Sequence, residues 1–400
     1  TAVNAFGAMH GLETLSQLIE FDFDSLTYVI RNAPWVINDA PRFPHRGILM
    51  DTSRHYESLP SIKRLIDSMT YAKLNVLHWH LTDSQSNPTQ SEAFPKWWEG
   101  SHTPMERYSI MDLEEIVEYA RMRGIRVVPE LDVPGHEASW CKGYPEVCPS
   151  ETCFEPLDPT SEKTWELIQG VLDEWSGKEQ GKGIFFDNYF HMGGDEVDTN
   201  CWKTTQHVVE WMKQNNFTDH DTYKYFVKKV HEMVMGNQRN GIYWEEVWLN
   251  FGTNLDKSTI IETWMNKKTM KSVVENGYRV IISDPIMYLD HLDQTWINIY
   301  KDEPFEFTDV PAEQELVLGG EACMWAETVD VSDLYNTVWP RAGAFAERYW
   351  SPREVNDVDA AHGRYMHFRC LLNKRGVPAA PANNERGRSA PSGPGSCYAQ

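Results

Sequence analysis

The chain has 400 residues, 41% of them hydrophobic and 12% aromatic, which is the make-up of a folded globular protein long enough to bury a large core. With 59 acidic residues against 37 basic ones the net charge is −22, which argues against electrostatic binding to nucleic acid, since that needs a basic face to displace counterions from phosphate. The charge suits a neutral or cationic substrate, or an acidic compartment, and no apolar run approaches the roughly eighteen residues needed to span a bilayer.

In chain order, residues 1–40 predict a helical segment, GLETLSQLIEF, and two strands around SLTYVI and APWVIND. This stretch reads as the tail of a preceding domain, joined by the Pro-rich APRFPHRG to the rest of the chain. The opening TAVNAFGAMH has neither the basic nor the apolar region of a signal peptide, so a secreted or lysosomal protein would have lost an N-terminal piece. Residues 41–378 then alternate short β-rich runs with helical stretches. The runs begin at Gly47 (GILMDTS), Val76 (VLHWHLTD), Arg126 (RVVPELDVP), Phe190 (FHMGGDEV), Gly241 (GIYWEEVW), Thr259 (TIIETWM), Arg279 (RVIISDP) and Val317 (VLGGEACMW). Between them lie amphipathic segments such as SLPSIKRLIDSMTYAKLN and SIMDLEEIVEYARMRGI, with apolar residues at i, i+3 and i+4. Eight such units predict a (β/α)8 barrel. Residues 379–400 are Pro-, Gly- and Ser-rich and predict a tail wrapped over the barrel.

The polar residues are not spread evenly over these runs. Each run starts apolar and finishes in acids, His, Trp or Arg, and in a barrel the C-terminal strand ends form the catalytic mouth. At one such end, in HMGGDEVDTNCW, Asp195 and Glu196 are adjacent. Two carboxylates in an aromatic pocket are the minimum for cleaving a glycosidic bond, but neighbours on a strand point to opposite faces. They can work together only if Gly193 and Gly194 bend the chain. The three histidines His78, His80 and His136 lack the spacing of a metal motif such as HExxH, so no metal and no cofactor is expected. The cysteines show no paired CxxC spacing; Cys141, Cys148 and Cys153, with Cys397 near the C-terminus, suggest loop staples in an oxidising compartment. Cys201 is expected to bridge to Cys148 or Cys153, and Cys323 to be a free thiol. One sequon, Asn216-Phe217-Thr218, agrees with secretion.

HMGGDEVDTNCW, with RGILMDTSRHY, LNVLHWHLTDSQS, PELDVPGH and GGEACMWAE, resembles the β-N-acetylhexosaminidases of glycoside hydrolase family 20 from about Phe43 to Cys397. The resemblance implies retaining hydrolysis of terminal β-linked N-acetylglucosamine or N-acetylgalactosamine, with the substrate's own acetamido oxygen as nucleophile. It makes Glu196 the general acid and base, and gives Asp195 the acetamido N–H and the oxazolinium charge. Asp195 should also raise the pKa of Glu196. It implies that Arg54 grips the 3- and 4-hydroxyls with Asp83 aiming it, and that His136 contacts Glu196 while Asp132 orients the imidazole. Trp244, Trp264 and Trp325 would wall the sugar, Tyr288 bond the acetamido carbonyl, and Asp290 and Glu327 reach the 4- and 6-hydroxyls. Cys370 and Cys397 match a family disulfide. Asn87, before Pro88, stands where many relatives carry an aromatic, which leaves the leaving-group side differently shaped. The implied partner is a glycan or glycoconjugate, with a homodimer left open, in a lysosome, vacuole or the secreted space. Two other readings compete: a carbohydrate-binding or adhesion protein that has lost catalysis, against which the intact Asp195-Glu196 pair speaks, and an enzyme cutting chitin-like chains internally, which would need an open groove.

Overall fold

A computed structural model describes residues 1–179, 181–382 and Cys397. Near the start, helix Ala5–Gln17 is followed by strands β1 (Glu20–Asp22) and β2 (Thr27–Val29), which pair antiparallel. The Asp22 carboxylate closes the turn between them by accepting from the Asp24 N–H and the Ser25 hydroxyl. The strand expected over 33–39 does not form. Pro34 takes a donor out of that stretch, and the neighbour of β2 is the nearer segment Glu20–Asp22. No residue of helix Ala5–Gln17 is buried, and Val3, Leu26, Tyr28 and Val36 lie open to solvent.

The eight expected runs are the eight strands of a closed parallel barrel: β3 (His45–Asp51), β4 (Val76–His80), β5 (Arg126–Glu130), β6 (Tyr189–His191), β7 (Asn240–Trp244), β8 (Ile260–Thr263), β9 (Arg279–Ile282) and β10 (Val317–Met324). Each pairs with the next in sequence, and β10 closes the ring on β3, with Ala322 opposite Ile48. The helices between them follow from their patterns. Leu59–Tyr71 starts with Pro60 in its first turn and buries Ile62, Leu65, Ile66 and Met69, one face at helical spacing. Ile110–Arg121 opens with a capping box between Ser109 and Asp112 and buries Leu113, Ile116, Val117 and Ala120.

Side chains alternate along each strand, so one set packs under the helices and the other fills the barrel. Inside, Val76, Val128, Ile242, Ile260 and Ile281 form an apolar plug. At the mouth side, Leu49, Trp244, Tyr288 and Cys323 form a second cluster against Trp264 and Trp325. Between the two lie fully buried polar groups, His78, Glu130, His191, Glu262 and Glu321.

Disulfides join Cys141 to Cys148, Cys153 to Cys201 and Cys370 to Cys397, and Cys323 is a buried free thiol. Of the two partners open for Cys201, Cys153 is the one it meets; Cys148 is taken by Cys141, seven residues away within the same loop. The tail expected over 379–400 falls mostly outside the described residues, and Cys397 ties it to helix Val358–Lys374 through Cys370.

Candidate active site

Strand β3 delivers Asp51 to the mouth, and Asp51 builds the turn after it. Its Oδ1 accepts the backbone N–H of Ser53 at 2.9 Å and of Arg54 at 3.0 Å, while Oδ2 takes Arg54 Nη1 at 3.0 Å and the N–H of Ala326 at 3.1 Å. Arg54 Nη2 lies 2.7 Å from Asp83 Oδ2, Nη1 lies 3.6 Å from Glu327 Oε1, and the guanidinium sits 5.1 Å over the Trp325 ring. Burial opposes its charge, but Asp51, Asp83 and Glu327 outweigh that and hold its pKa above the ordinary value. Asp51 is missing from the residues expected from sequence; its signal was an acid ending a strand three residues before an arginine.

Strand β6 ends at His191, and the chain then bends sharply. Gly193 has φ +58° and Gly194 φ +89°. A Cβ on Gly193 would come within 1.7 Å of Asp132 Oδ1, so this position admits no other residue. Glu196 itself has φ 47° and His136 φ 57°, a region that side chains with a Cβ seldom enter and that clusters at functional sites. The bend removes the strand alternation that would have separated the two acids. His136 Nε2 lies 3.6 Å from Asp195 Oδ2 and 3.5 Å from Glu196 Oε2.

The other imidazole nitrogen, Nδ1, faces Asp83 Oδ1 at 3.3 Å. The expectation that Asp132 orients His136 is therefore corrected. Asp83 holds both Arg54 and His136, whereas Asp132 accepts the N–H of Gly194 at 2.8 Å and bonds the Asp195 carboxylate. Burial first, and then the charge of Asp195, push the Asp132 carboxyl well above its usual range. Asp195 Oδ1 is buried and has no partner.

The pKa expected for Glu196 is also corrected. It is lowered, first by its hydrogen bond to His136 and less by the charges of His136 and Arg54, against burial. Its side chain is 61% exposed, so water screens the neighbouring Asp195, while His136 bonds it directly. Burial works against a charged imidazole at His136, but Asp195, Asp132 and the bonds to Asp83 and Glu196 raise its pKa well above the usual value.

Trp244 ends β7, and Trp264 and Trp325 follow β8 and β10 by one residue. Trp264 and Tyr288 stack with ring centres 6.1 Å apart, and Trp244 and Trp325 meet at 5.9 Å. Two acids that sequence reasoning passed over fix these rings: Glu130 accepts the indole N–H of Trp244 at 2.8 Å, and Glu246, the second acid of WEEVW, that of Trp264 at 3.0 Å. Burial, and then the charge of Asp195, push Glu246 up to about 8. At the outer edge, Asp290 keeps one oxygen buried and unpartnered while the other lies 3.6 Å from His291, and the Glu327 side chain is half exposed. Arg341 braces this loop by donating to the carbonyls of Leu289, His291, Gln294 and Thr337.

The three histidines His78, His80 and His136 do not converge: His78 lies 2.8 Å from Glu321 and His80 2.5 Å from Glu130, both inside the barrel, and His136 sits at the mouth. Among the described residues, Asp132, His136 and Asp195, and two sets sharing His78, bring potential ligand atoms within 4.8 Å of one another.

The family model of the glycosyl hydrolase family 20 catalytic domain matches residues 43–353. Beta-hexosaminidase 1 of Arabidopsis thaliana is 48% identical over 404 residues, covering all of this chain and 74% of that protein. The beta-hexosaminidase subunit alpha of Rattus norvegicus is 39% identical, covering 94% of this chain and 72% of the relative. Among solved structures, the chitobiase of Flavobacterium johnsoniae superposes with a TM-score of 0.82 at 31% identity, over 93% of this chain and 57% of that longer one. With the barrel and the acid-lined, aromatic-walled mouth, these matches place the chain in family 20 of the glycosyl hydrolases, as a glycoside hydrolase.

Proposed function

We propose that the chain is an exo-acting, retaining glycosidase that removes terminal β-linked N-acetylglucosamine or N-acetylgalactosamine through an oxazolinium intermediate formed by the substrate's acetamido group. The observation that carries this reading is the buried, unpartnered Asp195 Oδ1 beside an aromatic wall. A carboxylate oxygen kept dry without a donor is costly unless a ligand supplies one, and an acetamido N–H does. So held, the acetamido oxygen is aimed at the anomeric carbon and the Asp195 charge stabilises the cation that forms there. Glu196, across His136, gives its proton to the leaving oxygen and then takes one from water.

Arg54, preset by Asp51 and Asp83, donates in parallel to the 3- and 4-hydroxyls. The three tryptophans pack on the apolar face of the sugar and around the acetamido methyl, with Tyr288 on the acetamido carbonyl. Asp290 and Glu327 accept from the outer hydroxyls. The three disulfides support work in an oxidising, lysosomal, vacuolar or secreted setting. The test is proton NMR of the first product released from an N-acetyl-β-glucosaminide, together with rates on N-fluoroacetyl analogues. Release of the β-anomer, and rates that fall as fluorine weakens the acetamido nucleophile, are expected. An α-product, or rates indifferent to fluorination, would refute substrate assistance.

A further inference from the structure

The middle of the barrel is unlike the branched aliphatic filling usual there. Glu130, Glu262, Glu321, His78 and His191 are all fully buried in it, where unpaired charges are strongly unfavourable. Gly47 makes room for part of this, since a Cβ there would come within 2.9 Å of the Glu321 carboxylate. The groups are joined. Glu130 Oε2 lies 2.5 Å from His80 Nδ1 and 3.1 Å from His78 Nε2, and Oε1 lies 2.9 Å from His191 Nδ1 and accepts from Trp244. His80 passes the contact on to Asp83 at 2.9 Å, and the N–H of Gly193 points at His191 Nδ1 from 3.0 Å. On the other side, Glu321 binds His78 at 2.8 Å and His45 at 2.6 Å, away from the mouth.

We propose that Glu130 is the positioning residue of the pocket: one buried carboxylate that sets the Trp244 wall, the Asp83 clamp on Arg54 and His136, and the His191–Gly193 turn that presents Asp195 and Glu196. The proposal rests on the reading of this pocket as the catalytic one. Packed on Glu130 are His78 and His80 from β4, His191 from β6 and Trp244 from β7; the acids Glu262 from β8 and Glu321 from β10 face the same histidines across the interior, and Asp132 feels its charge from the mouth side. Burial opposes an anion at Glu130, but His191, His80 and His78 outweigh it and hold its carboxyl well below the usual range. His80 is correspondingly raised to about 9, by Glu130 and Asp83 against burial. The His80 arm is thus an ion pair that a neutral isostere cannot reproduce, while Trp244 donates its indole N–H to the same carboxylate and burial holds the His191 imidazole below its usual pKa.

The test compares Glu130→Gln with Glu321→Gln, a substitution of the same shape in the same network that touches no pocket residue. Both are assayed on a chromogenic N-acetyl-β-glucosaminide at temperatures where each is fully folded. Glu130→Gln is expected to lower kcat/KM at least thirtyfold, with kcat reduced and KM raised, and to shift the pH profile of kcat/KM. Glu321→Gln is expected to change it less than threefold, with the profile unmoved. Equal losses in the two would reduce Glu130 to a structural residue and overturn the proposal. If Glu130→Gln does not fold, a double-mutant cycle of Trp244→Phe and His80→Gln decides, since Glu130 joins the two. Combined losses that depart more than fivefold from the product of the single ones support the proposal, and losses that multiply to within that factor overturn it. An inactive wild type, or a fully active Glu196→Gln, would instead refute the catalytic reading of the pocket.

Discussion

At the scale of single residues, Asp195 and Glu196 are neighbours in sequence with different surroundings. Asp195 is buried against Asp132, while Glu196 is exposed and bonded to His136. This division gives two predictions. Glu196→Gln should keep the fold and lower kcat on a substrate with a poor leaving group by roughly 10²- to 10⁴-fold, because an amide has no acidic proton to give. Asp195→Asn should slow all N-acetyl substrates strongly and raise KM. Retention of most of the wild-type rate by Glu196→Gln in a steady-state assay would remove it as the acid. The second prediction is a pH dependence. His136 holds the Glu196 carboxyl below its ordinary pKa, so the protonated acid of the free enzyme is lost at lower pH than for an isolated glutamic acid. Replacing His136 by Asn removes that cation, which raises the Glu196 pKa. The alkaline limb of kcat/KM should therefore move to higher pH even as the rate drops, read as the apparent pKa values of the coupled site. A limb that moves to lower pH, or stays, would contradict the pairing.

At the scale of elements, the strands carry a strain of charge that the helices do not. His80, buried in β4, has a folded pKa of about 9 against an ordinary 6.5, so it binds its proton more tightly folded than unfolded. Its contribution is fully present below about pH 6.5 and is lost as pH rises through about 9, amounting at most to something on the order of 3 kcal/mol. Thermal melts should show a Tm falling between these pH values, with His80→Gln flattening that slope. A Tm that rises across the window would show that other groups dominate. Helix Val358–Lys374 poses a different question, since its Cys370 reaches out of the barrel's frame to Cys397. Cys397→Ser should cost about 3.5 kcal/mol on the loop-entropy account of a 27-residue separation, measured by denaturant unfolding of the oxidised proteins. A non-reduced digest that leaves Cys397 unpaired would remove the basis of that figure.

For the molecule as a whole, charge and pocket point the same way. A chain of net −22 presents an acidic field to any incoming glycan, and the pocket's outer edge adds Asp290, with a buried oxygen lacking a donor, and Glu327. Hydroxyls donate to such groups, whereas a sulfate meets repulsion that grows where water is excluded. Neutral terminal sugars should therefore be turned over well and the 6-sulfated sugar poorly, compared as kcat/KM at one pH. The nearby cation, Arg341, is turned onto backbone carbonyls of the same loop and of helix Leu334–Val338. Equal values for the two sugars would mean that Arg341 or another cation reaches the 6-position.

Most of the fold was legible in the chain, because a (β/α)8 barrel is written in local terms. Each of the eight runs declared itself by apolar residues ending in polar ones, and the helices by their spacing and caps such as Ser109 with Asp112. The short segment around Pro34 was not, since whether an extended stretch becomes a strand depends on a partner. The site residues were legible as types at strand ends, and Gly193 and Gly194 announced the bend. What only the tertiary structure decided was who meets whom. That Asp83 rather than Asp132 faces His136, that Cys153 rather than Cys148 meets Cys201, and that Glu196 is lowered rather than raised all depend on contacts across 48 or more residues. Glu130 is the clearest instance: in sequence it is one acid in PELDVP, and only closure of the barrel brings β4, β6 and β7 around its carboxylate. Periodicity fixes which face a side chain takes, but pairing distances and burial arise from the packing of elements far apart in the chain, and no local pattern encodes them.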